Sequence, residues 1–340
     1  MRHRVYITEN CNADCKSCFN RNSRTNAIMS VTDFEELCQW FKSEEDPVTD
    51  KSIRLMGGEP TTHPDFLKIY EIAQNHFESV SLFTNGLLPD ILNKINPREE
   101  DSIIYNSNFI KVFKKEMFLL DKSGKRTLET QVRWNTDEKA LLAEFERINN
   151  FWNSKTNCNF SINFTLDCTA NIFENKEELI KKYKFLKEEC DKKGICYYGD
   201  HQVPHCLILD DFTNNHLCPI IDAGLVDASL NLRFCNQCPE PLFKLKTEFG
   251  WIDHEKVSKE LRRKYKEYQK IVKEKCEGCA AYPNHCNGGC WVFKDIIKKE
   301  DLIHFDKETY IKLYNKAKRK DKKHPAMFFE EDILDLIKME

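Results

Sequence analysis

The chain has 340 residues, 41% of them hydrophobic and 31% charged, with a formal net charge of −3. That length accommodates one barrel-sized domain plus a smaller one, and the charge balance speaks against a nucleic-acid partner. No apolar run reaches the length of a membrane span and the N-terminus lacks a signal-peptide h-region, so a cytoplasmic protein with no membrane contact is expected.

In chain order, the apolar run at residues 4–8 predicts a first strand, and directly behind it stand Cys11, Cys15 and Cys18. Thr32, Asp33, Phe34 and Glu35 read as a capping box that opens a helix over residues 32–42. Further strands are expected at 52–56, 79–84, 102–106, 130–135 and 160–167, and helices at 65–76, 137–151 and 176–192. This alternation predicts a parallel sheet with right-handed crossovers. Gly57, Gly58, Glu59 and Pro60 end the second strand, where glycines let backbone approach a ligand and proline fixes the following turn. Asn85 follows the third strand, and Asn106 ends the fourth. In the fifth strand Gln131, Arg133 and Asn135 alternate with Val132 and Trp134; in the sixth, Ser161, Asn163, Thr165 and Asp167 alternate with apolar residues. A parallel strand covered on both faces reads as continuously apolar. The polar face therefore points to a ligand cavity in a curved or open barrel, or to a solvated antiparallel face.

Sixteen cysteines without an export signal favour metal binding over a disulfide framework. Iron–sulfur clusters are usually held by four thiolates, so a loop supplying Cys11, Cys15 and Cys18 leaves one iron open to a small molecule. The spacing Cys11-x3-Cys15-x2-Cys18 resembles the signature of the radical S-adenosylmethionine (SAM) enzymes, with Ser17 where that family usually has an aromatic residue. The resemblance implies a [4Fe–4S] cluster chelated by SAM, cleavage of SAM to a 5′-deoxyadenosyl radical, and an α/β fold, an open (β/α)6 partial TIM barrel. Residues 57–60 are similar to the family's GGEP motif, which implies that backbone at Gly57, Gly58 and Pro60 and the Glu59 carboxylate bind the SAM ammonium. Asn85 and Asn106 are further candidate SAM contacts. His63 reads as a helix-start residue, and His205 as an ordinary polar one.

A second cysteine system, Cys276-x2-Cys279-x6-Cys286-x3-Cys290, is preceded by Cys218, Cys235 and Cys238. It resembles the SPASM/twitch extension, which implies one or two auxiliary [4Fe–4S] clusters. Three features depart from that pattern: the six-residue gap, Leu230 where glycine is expected, and no cysteine after Cys290. The resemblance assigns Cys218, Cys235 and Cys290 to one cluster and Cys276, Cys279 and Cys286 to the other, with Cys206 and Cys238 available as further ligands. A zinc site is the competing reading of the C-x2-C pair. Cys168, at the end of the sixth strand, is a candidate hydrogen-atom donor or a packing residue, whereas Cys38, Cys158, Cys190 and Cys196 read as buried small residues or reduced surface thiols.

The expected organisation is a radical SAM core over 1–200, an auxiliary-cluster domain over 201–295 and a charged helical tail over 296–340. The expected activity is hydrogen abstraction from a peptide or protein, most readily a ribosomally made peptide that becomes crosslinked, thioether-bridged or epimerised. A low-potential electron donor such as flavodoxin or ferredoxin is the implied second partner. A formylglycine-forming enzyme and a non-enzymatic zinc-binding interaction protein are the alternatives.

Overall fold

The computed structural model describes residues 2–15, 18, 25–43, 51–107, 109, 119, 122–133, 135–153, 160–166, 175–199, 224–235, 238, 240–280, 304, 306–309 and 312. The chain divides into two compact units, residues 1–200 with 218–268, and residues 201–217 with 269–340.

The first unit alternates β1 (Arg2–Thr8), α1 (Val31–Lys42), β2 (Ser52–Gly57), α2 (Phe66–His76), β3 (Ser79–Thr84), the short α3 (Pro89–Leu92) and β4 (Ser102–Asn106). It continues with β5 (Lys125–Val132), α4 (Glu138–Asn153), β6 (Phe160–Leu166), α5 (Lys176–Lys192) and β7 (Tyr197–Gly199). After the second unit's first segment come β8 (Leu225–Val226), β9 (Asn231–Arg233), β10 (Pro241–Lys244), a hairpin of β11 (Lys246–Thr247) and β12 (Gly250–Trp251), and the long helix α6 (His254–Cys276). Among the described residues ten strands form one sheet in the order β10-β9-β8-β1-β2-β3-β4-β5-β6-β7, parallel from β8 through β7 and antiparallel at β9 and β10. Among the described residues neither β7 nor β10 closes the sheet onto the other, so the fold is an open, mostly parallel α/β sheet; the alternation predicts the parallel sheet, and the family resemblance implies its openness.

Burial alternates with period two, the signature of a sheet with unlike faces. Val5, Ile7, Ile53, Leu55, Val80, Leu82, Ile103 and Leu128 are fully buried on one face, alongside Phe34, Leu37, Ile69 and Phe145 from the helices. The opposite face carries half-buried Arg4, Arg54, Ser81, Ser102, Thr127 and Ser161. Its polar groups bond across the parallel register: Ser102 Oγ donates to Ser81 Oγ at 2.9 Å, and Thr127 and Ser161 hydroxyls meet at 3.1 Å. Of the polar residues expected in the fifth and sixth strands, Gln131, Ser161 and Asn163 are half-buried, Asn135 falls beyond the end of β5, and Asp167, with the apolar Trp134, lies outside the described residues.

Three local readings are corrected. The N-cap of α1 is Ser30, not Thr32: Ser30 Oγ accepts from Asp33 N–H at 3.0 Å and donates to the Asp33 carboxylate at 2.7 Å. The fifth strand begins at Lys125 and ends at Val132, five residues earlier at its start than expected. Strands β7 to β10 are additions that the count of six did not include.

Candidate functional site

The first cysteine loop leaves β1 and is fastened at once to the loop that follows β2. Gly58 N–H donates to Thr8 O at 2.9 Å, and Glu59 N–H donates to Asn10 O at 2.7 Å. A Cβ on Gly57 would stand 2.2 Å from Thr8 O, and one on Gly58 would stand 2.2 Å from Asn10 O. Any side chain at either position would push the two loops apart, which is why both residues are glycine. Pro60 then opens a single 3-10 turn, Pro60–Thr62, for which Glu59 is the N-cap.

Glu59 is 1% exposed. Its Oε1 accepts from Thr61 N–H at 3.1 Å, Thr61 Oγ1 at 2.6 Å and Thr84 Oγ1 at 2.8 Å, and its Oε2 accepts from Asn85 N–H at 2.6 Å. Burial pushes the carboxyl pKa up, and the hydrogen bonds from Asn85, Thr61 and Thr84 oppose that push. Asn85 closes the circuit: its Nδ2 donates to Asn12 Oδ1 at 2.7 Å, inside the first cysteine loop, while its Oδ1 accepts from Leu87 N–H at 2.9 Å. The ends of β1, β2 and β3 are thus one hydrogen-bonded assembly. Asn106, at the end of β4, is exposed.

Cys11, Cys15 and Cys18 are half-buried. Cys18 N–H donates to Cys15 O at 3.1 Å, Cys238 N–H to Cys235 O at 3.0 Å and Cys279 N–H to Cys276 O at 3.1 Å. Each C-x2-C pair is therefore closed by the same turn bond, which keeps the two Cα atoms within about 7 Å. This places Cys238 on the same footing as the other paired thiols. Among the described residues no group of three or more His, Cys, Asp and Glu side chains closes around a single metal ion. A four-iron cluster spreads its thiolates over the corners of a cube, and thiolates are its chosen donors, so the donor set suits a cluster. Cys168, Cys218, Cys286 and Cys290, with Cys158, Cys206 and His205, lie outside the described residues.

The remaining thiols behave as small side chains: Cys38 and Cys190 are buried, and burial pushes the Cys190 thiol up to about 12, whereas Cys196 is exposed. His63 anchors the start of α2, with Nε2 2.8 Å from Met29 O and Nδ1 accepting from Asp65 N–H at 3.0 Å. One buried network has no counterpart in the sequence reading. Glu9 Oε2 accepts from Thr25 N–H and Oγ1, both at 2.6 Å, and Glu9 Oε1 accepts from Arg233 at 3.2 Å. Arg233 Nε in turn donates to Asp227 at 2.9 Å. Thr84, read from the sequence only as the end of the third strand, is a further partner of Glu59.

Residues 5–103 match the sequence model of the Radical SAM superfamily. A probable GTP 3′,8-cyclase from Methanothermobacter marburgensis is 34% identical over 87 residues, which covers 25% of this chain and 27% of that protein. Two solved structures share the fold over most of the chain. The native anSMEcpe structure with bound AdoMet and Kp18Cys peptide aligns over 94% of this chain and 97% of its own, with a TM-score of 0.58 and 15% identity. Streptococcus suis SuiB bound to precursor peptide SuiA aligns over 90% of this chain and 75% of its own, with a TM-score of 0.54 and 13% identity. The N-terminal part of this chain is thus similar in sequence to radical SAM domains, and its fold is similar to the two solved structures. Among the described residues no helix is long and apolar enough to cross a membrane.

Proposed function

With residues 5–103 taken as a radical SAM domain, we propose that the chain is a peptide-modifying radical SAM enzyme with auxiliary cluster sites in its C-terminal half. The observation that carries this reading is the assembly at the ends of β1, β2 and β3, where the Cys11 loop is bonded through Asn10 and Asn12 to the Gly57 to Pro60 turn and to Asn85. When bound, a cluster and SAM supply reductive cleavage of the sulfonium to a 5′-deoxyadenosyl radical. The chain's own part begins with Cys11, Cys15 and Cys18 as thiolate ligands. Gly57 and Gly58 bring backbone to the SAM amino group, Glu59 supplies the negative charge there, and Asn85 and Asn106 offer polar contacts. The half-buried polar face of the sheet is the surface over which a substrate is oriented, and holding the target hydrogen in place is the main task left to the protein.

Cys235, Cys238, Cys276 and Cys279, together with Cys218, Cys286 and Cys290, are the proposed auxiliary ligands, in an extension over 201–295 that precedes a helical tail over 296–340. A ribosomally made peptide is the favoured substrate class, because the two fold relatives were solved holding peptides. Cys168 is proposed as a hydrogen-atom donor to a substrate radical. A low-potential donor such as flavodoxin or ferredoxin and a cytoplasmic setting complete the reading.

Anaerobically reconstituted protein should contain about 8 to 12 iron atoms per chain with matching acid-labile sulfide, as two or three four-iron clusters require. Replacing Cys11, Cys15 and Cys18 with alanine should abolish 5′-deoxyadenosine release yet keep the auxiliary iron. Stoichiometric zinc without sulfide would establish the zinc-protein alternative. With a precursor peptide encoded beside the gene, crosslinking gives a product two mass units lighter. Epimerisation in D2O gives one deuterium per inverted residue, and formylglycine gives an aldehyde.

A further inference from the structure

Helix α6 carries nine lysines and arginines against four glutamates, and five of those cations share one exposed face. Val257, Leu261, Tyr268 and Val272 are buried and fix the inward side of the helix. On the opposite side Lys259, Arg262, Lys266, Lys270 and Lys273 are all exposed. At 3.6 residues per turn they fall within an arc of about 80°, and at 1.5 Å per residue they run for about 21 Å. Acidic residues keep to a row of their own: Glu260, Glu267 and Glu274 recur every seven positions beside the stripe, where Glu260 pairs with Arg263, and Glu267 with Arg263 and Lys264. None of the five stripe cations has an ion-pair partner among the described residues. A face that needs only solvation mixes its charges, so that neighbours three and four apart attract. Here the pairs 259/262, 262/266, 266/270 and 270/273 are like-charge neighbours in succession, each of which disfavours the helix. The chain as a whole is net negative, at −3, so the stripe is a local reversal of sign. At physiological salt a partner in contact feels mainly charges within about 8 Å, and it is the stripe that such a partner meets. The stripe also leads into a cysteine pair: Lys273 stands three positions before Cys276, and Cys279 N–H donates to Cys276 O at 3.1 Å in the turn that follows.

We propose that this stripe is the docking surface of a small acidic electron-carrier protein, and that the carrier delivers one electron to the cluster held by Cys276 and Cys279. The electron-entry step rests on the reading of those two thiols as cluster ligands, whereas the docking step rests on the stripe alone. In the transfer the carrier's reduced flavin or iron–sulfur centre loses one electron and the oxidised cluster gains it; no bond or proton passes between the proteins. Complementary charge chiefly raises the rate of encounter and fixes register, which suits a carrier that must bind, discharge and leave. Closeness to a cluster is what separates this partner from an acidic peptide, a nucleic acid or a membrane, for which that position has no use.

The test is calorimetric binding of a purified acidic flavodoxin to the full-length, reconstituted protein at low and high salt. The variant Lys259→Gln/Lys266→Gln/Lys273→Gln is compared with Lys68→Gln/Lys94→Gln/Lys139→Gln, which removes the same charge from exposed positions on α2, after α3 and on α4. Wild type should bind more weakly as salt rises, the α6 variant about tenfold more weakly than wild type, and the control variant within about twofold of it. Because the α6 variant loses like-charge neighbours, it should unfold at the same or a higher urea concentration than wild type, so that weaker binding is not a folding defect. In stopped flow, reduction of the cluster whose EPR signal SAM does not alter should slow in the α6 variant with reduced flavodoxin as donor, and keep the wild-type rate with dithionite. Equal flavodoxin affinity in the two variants, with full iron and sulfide, overturns the docking surface alone. So does a loss confined to binding of a DNA duplex or of phosphatidylglycerol vesicles. Iron and sulfide for a single cluster in wild type overturn the auxiliary-cluster reading and the electron-entry step with it.

Discussion

A carboxylate that is 1% exposed is tolerable only where donors replace water, and Glu59 has four of them, from Thr61, Thr84 and Asn85. Its structural and ligand-binding parts can be separated by mutation. Glu59→Ala strips the acceptor from two buried backbone N–H groups and two hydroxyls, and should lower the unfolding free energy of the cluster-free protein by at least about 2–3 kcal/mol in urea melts. The same change should weaken SAM binding about tenfold or more by calorimetry, the size of one charge-assisted hydrogen bond. Thr84→Val removes one donor and leaves three, so it should cost about 1 kcal/mol of stability and leave SAM affinity within a factor of about three. A Glu59→Ala protein that bound SAM normally would assign the carboxylate to loop architecture alone. The cysteines, the paired glycines and Glu59 were legible because their signal is residue type at fixed spacing. Thr84, Glu9 and Arg233 were not, because what they do depends on a partner distant in sequence.

Among elements, legibility followed the match between local chemistry and burial. Strand β4 and helix α5 fall at the positions expected, because their apolar and polar residues keep to the phase of the element. Strand β5 did not announce its first half because Arg126 stands in the buried phase between Lys125 and Thr127. Arg126 is 0% exposed and donates to the carbonyls of Leu119 at 3.1 Å and Lys125 at 3.2 Å, so backbone acceptors, invisible to a periodicity argument, replace the solvent. Strands β7 to β10 are two to four residues long and carry too little periodicity to read. The cap of α1 was misplaced by two residues because Ser30 with Asp33 and Thr32 with Glu35 fit one pattern equally well; the Ser30 carbonyl, accepting from Phe34 N–H at 3.0 Å, shows which one the backbone uses. Ser30→Ala should therefore cost about 1 kcal/mol and Thr32→Ala much less, as measured by chemical denaturation of the two variants side by side.

At the scale of the molecule, the sheet does not stop at β1. The segment after residue 218 returns to add β8, β9 and β10 on the far side of the first strand, in the same compact unit. The Glu9–Arg233–Asp227 network is the polar fastening of that junction, with Glu9 at 1%, Arg233 at 5% and Asp227 at 1% exposure. It ties the approach to Cys11 to the approach to Cys235 across 224 positions of sequence. Removing one member of a buried ion pair leaves its partner charged and unsolvated, a loss of about 3–5 kcal/mol, whereas replacing the group by well-packed apolar residues costs far less. Arg233→Met should accordingly destabilise the protein strongly by itself. Combined with Glu9→Gln and Asp227→Asn, which remove the stranded charges, it should recover much of that loss, and the double-mutant coupling between positions 9 and 233 should exceed about 1 kcal/mol. Additive effects of Glu9→Gln and Arg233→Met would mean that the junction is held by the strand pairing of β1, β8 and β9, with the ion pair a passenger. A large coupling would mean that the two cysteine loops are positioned by one shared charge network, so that disturbance at either loop is felt at the other.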